Sequence, residues 1–205
     1  MESRNKKLTQ ILVAIVLTIA GLSVAFAALS ATLNITTSSV TQKGSDVVTW
    51  NVGFVGSSAT PTVGGSSSVG RTCKNATITS SQVSIESGVV LSKPGDSCTY
   101  ELTIKNSGTI PALLSTITPT SPTGTGVTCT PTAGSTTNSA KIVCGNITYT
   151  LAGSANGNTN FVTGTSLNAN QSTTVYLIAA FTGSTPATSA VTQSGAAFQI
   201  YYVQN

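Results

Sequence analysis

The eight residues from Cys98 to Lys105 read Cys-Thr-Tyr-Glu-Leu-Thr-Ile-Lys. Cys98, Tyr100, Leu102 and Ile104 fall on one side at period two, with Thr99, Glu101, Thr103 and Lys105 on the other. That alternation describes a strand with one face on a core and one in water. After residue 31 no stretch carries competing 3.6-residue amphipathicity. Short β-branched and aromatic runs recur instead, punctuated by Gly, Pro, Asn and Ser, the pattern of an all-β sandwich. Strands are expected at 31–36, 47–55, 76–78, 82–85, 97–106, 112–117, 141–151, 173–181 and 196–203. Loops rich in Thr, Ser and Gly are expected at 56–70, 119–126, 153–160 and 183–195. In the run at 173–181, Val175, Leu177, Ala179 and Phe181 alternate, but Tyr176 and Ile178 opposite them are also apolar. A strand covered on both faces, or one that receives a partner, has that pattern.

The polar side of such a fold is built here from hydroxyls. The chain has 36 Thr and 28 Ser among 205 residues, and only 7 % of its residues are charged, against about a quarter in a typical soluble domain. It contains no histidine. That excludes Ser-His-Asp and Cys-His nucleophilic sites, His-ligated zinc and any imidazole acid or base. Five acidic residues leave little for carboxylate chemistry or calcium loops. The composition points away from an enzyme and a cofactor, and towards an extracellular structural or binding protein.

The N-terminus has the layout of an export signal. Residues 1–7 are short and basic, residues 8–42 carry no charge, and 11–28 are almost wholly apolar. Ala25-Phe26-Ala27 fits the small-x-small cleavage rule, so signal peptidase is expected to cut after Ala27, with Ala28-Leu29-Ser30 as the second choice. The alternative is an uncleaved membrane anchor, because the run approaches the roughly 20 residues that span a bilayer. The organisation expected is therefore 1–27 as signal peptide or anchor and 28–205 as one secreted β-sandwich domain, with the membrane touched only through the N-terminal segment. Of nine basic and five acidic residues, Arg4, Lys6, Lys7 and Glu2 precede the apolar run, leaving six and four, a net charge of +2. The remaining basic residues are spread singly, without the stripe that nucleic acid requires.

Cys73, Cys98, Cys129 and Cys144 are even in number on an exported chain, which favours disulfides. Their spacing has no C-x-x-C and no histidine to complete a metal site. Proximity suggests Cys73–Cys98 and Cys129–Cys144. The second pair would close a 16-residue segment worth about 3 kcal/mol in loop entropy.

In Lys93-Pro94-Gly95-Asp96-Ser97, Pro94 and Gly95 suit a type II turn, and Asp96 suits a hydrogen bond to nearby backbone. A calcium or catalytic role for Asp96 would need further acids close by, and none lies near it in sequence. Asn106-Ser107-Gly108 is a second turn. Asn34, Asn75, Asn146 and Asn170 head Asn-x-Ser/Thr triplets, which arise by chance in a chain this rich in hydroxyls. Trp50 reads as a core residue.

The segment Ala25-Phe-Ala-Ala-Leu-Ser-Ala-Thr-Leu33, the pentapeptide Trp50-Asn-Val-Gly-Phe54, the span from Lys93-Pro-Gly-Asp-Ser97 to Asn106-Ser-Gly108 and the ending Tyr201-Tyr-Val-Gln-Asn205 together give a resemblance. The chain resembles the TasA/camelysin-like secreted proteins of bacteria and the related archaeal bundling-pilus subunits. The resemblance implies a jelly-roll β-sandwich, although the Pro-Gly-Asp piece also looks like that of immunoglobulin-like modules. It further implies biofilm-matrix or pilus fibres in which the segment after the signal inserts as a strand into the neighbouring copy. The metalloprotease activity described for camelysins is not implied here, because the chain lacks the histidines of such a site.

Two functions follow as expectations. The first is a subunit of extracellular fibres or pili whose partners are copies of itself. In it Leu29, Ala31, Leu33 and Ile35, on one face at period two, form the donated strand, and 173–181 and 196–203 are the candidate acceptors because neither contains charge or proline. The bland alternative is that this strand pairs within its own subunit. The second function is a monomeric cell-surface adhesion or ligand-binding module with the long loops as its recognition face.

Overall fold

A computed structural model describes residues 30–33, 42–43, 49–65, 71–84, 89–123, 127–184 and 196–205, the first two stretches as backbone only. In chain order its strands are β1 (Ser30–Leu33), β2 (Gln42–Lys43), β3 (Thr49–Trp50), β4 (Val52–Val55), β5 (Ser58–Ala59) and β6 (Thr62–Gly64). Then come β7 (Ala76–Ile78), β8 (Val83–Ser84), β9 (Ser97–Asn106), β10 (Ala112–Thr120) and β11 (Cys129–Thr132). The last are β12 (Lys141–Cys144), β13 (Ile147–Ala152), β14 (Ser166–Leu167), β15 (Ser172–Phe181) and β16 (Ala197–Gln204). All described residues after Ser30 belong to one compact unit, Ala31–Asn205. The fold is all-β.

Two sheets dominate. One runs β11-β12-β13-β15-β9-β4, with β6 also on β9, and the other runs β1-β16-β10-β14. Smaller sheets join β2 to β3 and β5-β7-β8. The octet forms the body of β9, and its alternation is realised except at Thr99, which is buried at 9 % exposure. Cys98, Tyr100, Leu102 and Ile104 are at most 2 % exposed, while Glu101 is exposed and Thr103 and Lys105 are half-buried. Burying Leu102 and Ile104 alone stabilises the fold by about 1.5–3 kcal/mol each. Side chains from both large sheets, among them Leu102, Val175, Leu114 and Tyr202, belong to one hydrophobic core.

Two expected strands are interrupted. The run 47–55 breaks at exposed Asn51, whose carbonyl leaves the ladder to accept the N–H groups of Ser107 and Gly108. The run 141–151 is a hairpin, because Gly145-Asn146 is a two-residue turn with Gly145 at φ 57°, and glycine first is the II′ arrangement. The expected loop 56–70 contains β5 and β6. Strand β10 continues through Pro119, opposite Phe198. Proline is tolerated there because β14 covers only Ala112 and Leu113 on the other side.

Cys73 is bonded to Cys98, and Cys129 to Cys144. The second pair sits directly across β11 and β12, with Cα atoms 4.2 Å apart. The first ties the segment before β7 to β9.

Candidate functional site

Sheet edges are where a strand from outside could add. In the seven-stranded sheet the outermost strand on one side is β11, which carries Pro131 and is mostly exposed. On the other side Phe54 donates its N–H to the Ser80 carbonyl. A Cβ on Gly53 would fall 2.5 Å from that same oxygen, so the 79–82 turn lies against the β4 edge. The carbonyl of Gly64 on β6 accepts from the Arg71 guanidinium. In the other large sheet β14 is only two residues long. Each of these edges is short, covered or interrupted by proline, the ordinary ways of preventing edge-to-edge pairing.

The expectation that 173–181 accepts a strand is corrected by its place in the sheet. Strand β15 pairs with β13 along Tyr176–Phe181 and with β9 along Ser172–Ala180, so both its edges are in use. Its two-sided apolarity reports cover. Ile178 lies between Thr150 and Thr99, under the 153–160 loop, where a Cβ on Gly157 would be 3.6 Å from the Ile178 Cδ1. Tyr176 lies opposite Glu101. Desolvation first, and then the charge and hydrogen bond of Glu101, hold its phenol above the ordinary range.

Strand β16 differs. Its sequence, Ala-Phe-Gln-Ile-Tyr-Tyr-Val-Gln, has neither charge nor proline. Phe198, Ile200 and Tyr202 enter the core at no more than 2 % exposure, while Gln199, Tyr201 and Val203 are half-buried on the other face. One edge of β16 pairs with β10 from Ala112↔Gln204 to Thr120↔Ala197, with a bulge between Leu114 and Thr116. The other edge is lined by β1 of the same chain. Of the residues expected to form the donated strand, Ala31 and Leu33 lie in β1, while Leu29 and Ile35 lie outside the described residues. The cleavage residues Ala25 and Ala27, and the whole of 1–27, also lie outside them. Among the described residues no helix is long and apolar enough to cross a membrane.

The two turn motifs are structural latches. Gly95 has φ 88°. Asp96 is fully buried; its Oδ2 accepts the N–H groups of Ser92 (2.9 Å) and Lys93 (3.1 Å), and its Oδ1 faces Arg71 Nη1 at 3.4 Å. The same residue joins β15, because its carbonyl accepts the Phe181 N–H at 2.8 Å. These are the contacts of a turn aspartate plus one ion pair. Arg71 is 25 residues away, and no local signal in the sequence marks it. Asn106 is also fully buried. Its Nδ2 donates to the carbonyls of Ile110 (2.7 Å) and Leu167 (3.0 Å), and its Oδ1 accepts the Gly108 N–H (3.0 Å). Leu167 belongs to β14, so one amide ties the end of β9 to the opposite sheet. Trp50 is a core residue at 5 % exposure.

Outside this region, a depression of about 600 Å³ is lined by Thr132, Ser135, Asn138, Lys141, Thr150 and Asn160 among others. Its hydroxyls and amides offer hydrogen bonds without a nucleophile–base pair. Among the described residues no group of three or more Cys, Asp or Glu could hold a metal ion. Comparison with protein-family models, with curated proteins and with solved structures finds no match.

Proposed function

We propose that the chain is an exported structural subunit that assembles into extracellular fibres or pili by passing its N-terminal strand onto the β16 edge of a neighbouring copy. The observation that carries this reading is the contrast among edges. Among the described residues the outermost strands of the seven-stranded sheet are short, covered by a turn or interrupted by proline, whereas β16 offers eight uncharged residues whose second side is lined by only the four of β1. Main-chain hydrogen bonds along such an edge supply affinity, and alternating pockets supply register. In this reading the two large sheets pack as a single jelly-roll or immunoglobulin-like sandwich around their common core. Residues 1–27 act as the signal removed by signal peptidase or as an anchor, and the partners are further copies of the chain. The composition supports the same reading, since a hydroxyl-rich, histidine-free surface suits a matrix protein better than a catalyst. The resemblance to TasA-like fibre proteins points the same way.

Negative-stain electron microscopy of the mature protein at raised concentration tests it. Polymers are expected, and deletion of 28–37 is expected to leave a folded, soluble monomer that does not polymerise. A synthetic peptide of 28–37 should bind that monomer and raise its melting temperature. Unaltered fibres after the deletion would refute strand donation. Loss of folding that the peptide does not rescue would assign β1 to its own subunit and favour the monomeric adhesion module.

A further inference from the structure

The turn at 153–160 contains Asn156-Gly157, the dipeptide in which an asparagine side chain is most open to attack by the following backbone nitrogen. Glycine has no side chain to shield that nitrogen. In the reaction Gly157 N loses its proton and bonds to Asn156 Cγ. The Cγ–Nδ2 bond breaks, and Nδ2 leaves as ammonia after taking up a proton. Water then opens the cyclic imide at either carbonyl, giving aspartate or isoaspartate. No oxidant or reductant takes part.

The structure holds each reacting group away from this course. The Gly157 N–H donates to the Ser154 carbonyl at 3.0 Å, so the attacking nitrogen is engaged and faces its own turn. Asn156 Oδ1 accepts the Ser154 hydroxyl at 2.8 Å and the Asn158 N–H at 3.0 Å, which fixes the rotation of the amide. Ser154 Oγ also accepts the Thr159 N–H at 2.9 Å, and the Gly153 N–H donates to the Thr159 carbonyl at 2.8 Å. Gly157 itself stands at φ 73°, a conformation that glycine adopts without strain. The turn therefore needs the residue that makes the pair reactive, and it compensates with hydrogen bonds centred on Ser154.

We propose that Asn156 is a site of spontaneous deamidation gated by this turn: closed, the turn protects the amide; open, it commits the chain to an irreversible mark. The reactive state is then a local opening, not global unfolding, and its population sets the rate. The aspartate product keeps an oxygen for the Ser154 hydroxyl and the Asn158 N–H. The isoaspartate product adds a backbone carbon, and this hydrogen-bonded turn cannot close around it. The proposal is independent of fibre assembly.

The test follows deamidation at Asn156 by peptide mass spectrometry, in mildly alkaline buffer, for the native oxidised protein and for the same chain reduced and unfolded in urea. The native protein is expected to deamidate at least about tenfold more slowly, as a locally closed segment should. Ser154→Ala, which removes the hydroxyl shared by Asn156 and Thr159, is expected to bring the rate several-fold back towards the unfolded value while the circular dichroism stays native. Hydrogen exchange at the Gly157 amide supplies a second readout in the unmodified protein, where protection is expected. Native deamidation at the unfolded rate, an unprotected Gly157 amide, or a folded Ser154→Ala variant as slow as the parent would each overturn the proposal.

Discussion

Replacing Asn106 by alanine should be among the most damaging changes this fold can receive without altering a large apolar residue. The side chain satisfies three main-chain groups at once, the carbonyls of Ile110 and Leu167 and the N–H of Gly108. Alanine leaves all three without that partner. An unsatisfied buried polar group costs about 1–3 kcal/mol, so the Leu167 carbonyl accounts for about 1–3 kcal/mol. The part-buried Ile110 carbonyl adds less because water can reach it, and the Gly108 N–H adds less because it keeps the Asn51 carbonyl at 3.2 Å. A total loss of about 2–4 kcal/mol is expected, a large share of the roughly 5–15 kcal/mol that holds a domain together. Asn106→Asp keeps the shape and reverses the chemistry, because an ionised carboxylate presents oxygens to two carbonyl oxygens. Burial and those oxygens raise the folded-state pKa of the new acid above its unfolded value. Stability is then best below the unfolded carboxylate pKa, near 3.9, where the neutral acid can still donate one hydrogen bond, and it falls as pH rises towards the folded pKa. Urea unfolding with the disulfides intact measures both variants. The fluorescence of Trp50 reports the transition, since it is the single tryptophan and is buried. A loss below about 1 kcal/mol for Asn106→Ala, set against the expected range, would refute the reasoning. So would an Asn106→Asp variant equally stable at acid and neutral pH.

Removing the Cys129–Cys144 bridge by double substitution to alanine should cost about 3 kcal/mol, from a separation of 15 residues and the loop-closure relation. The Cys73–Cys98 bridge, with a separation of 25, should cost slightly more by the same relation; urea midpoints of the two variants compare them. In an alkaline titration followed by tyrosinate absorbance, Tyr100 should ionise late, because burial pushes its phenol up to about 12, and Tyr202 should ionise later still, for the same cause. Both folded-state pKa values lie above the unfolded one, so the stability carried by the neutral phenols is complete below about pH 10 and is lost as pH rises through the folded values. Normal titration of both before unfolding would show that they are not buried in solution.

Much of the fold is legible residue by residue, and what is not has physical causes. The span 97–106 matches β9 because its alternation is strict and its flanking turns, Pro94-Gly95 and Ser107-Gly108, are local signals. The same kind of local signal, Gly145-Asn146, divides the run 141–151, and reading that run as one strand gave its β-branched residues more weight than the glycine. Strands β5, β6 and β14 have two or three residues and acquire their identity only from partners far along the chain. The β11 strand hides behind Pro131, which a central strand would exclude and an edge strand accepts. Of the candidate site, the uncharged, proline-free character of 196–203 is visible in the sequence. That 173–181 has the same character yet lies in the interior of its sheet is a property of topology alone. Arg71 as the partner of Asp96, and Leu167 as the partner of Asn106, are likewise long-range facts.

The Arg71–Asp96 pair has a consequence for the surroundings the protein can tolerate. Ions in solution screen charges that face water, over roughly 10 Å at 0.1 M salt. The Asp96 side chain has no exposed surface and that of Arg71 only 11 %, and the carboxylate is further neutralised by two backbone N–H groups. Counterions have almost no access to this interaction. Elsewhere the sheets meet water largely through threonine and serine, with exposed charges such as Glu101 and Lys141 set singly among them. Raising the ionic strength should therefore weaken the Arg71–Asp96 latch far less than it weakens an ion pair that faces water.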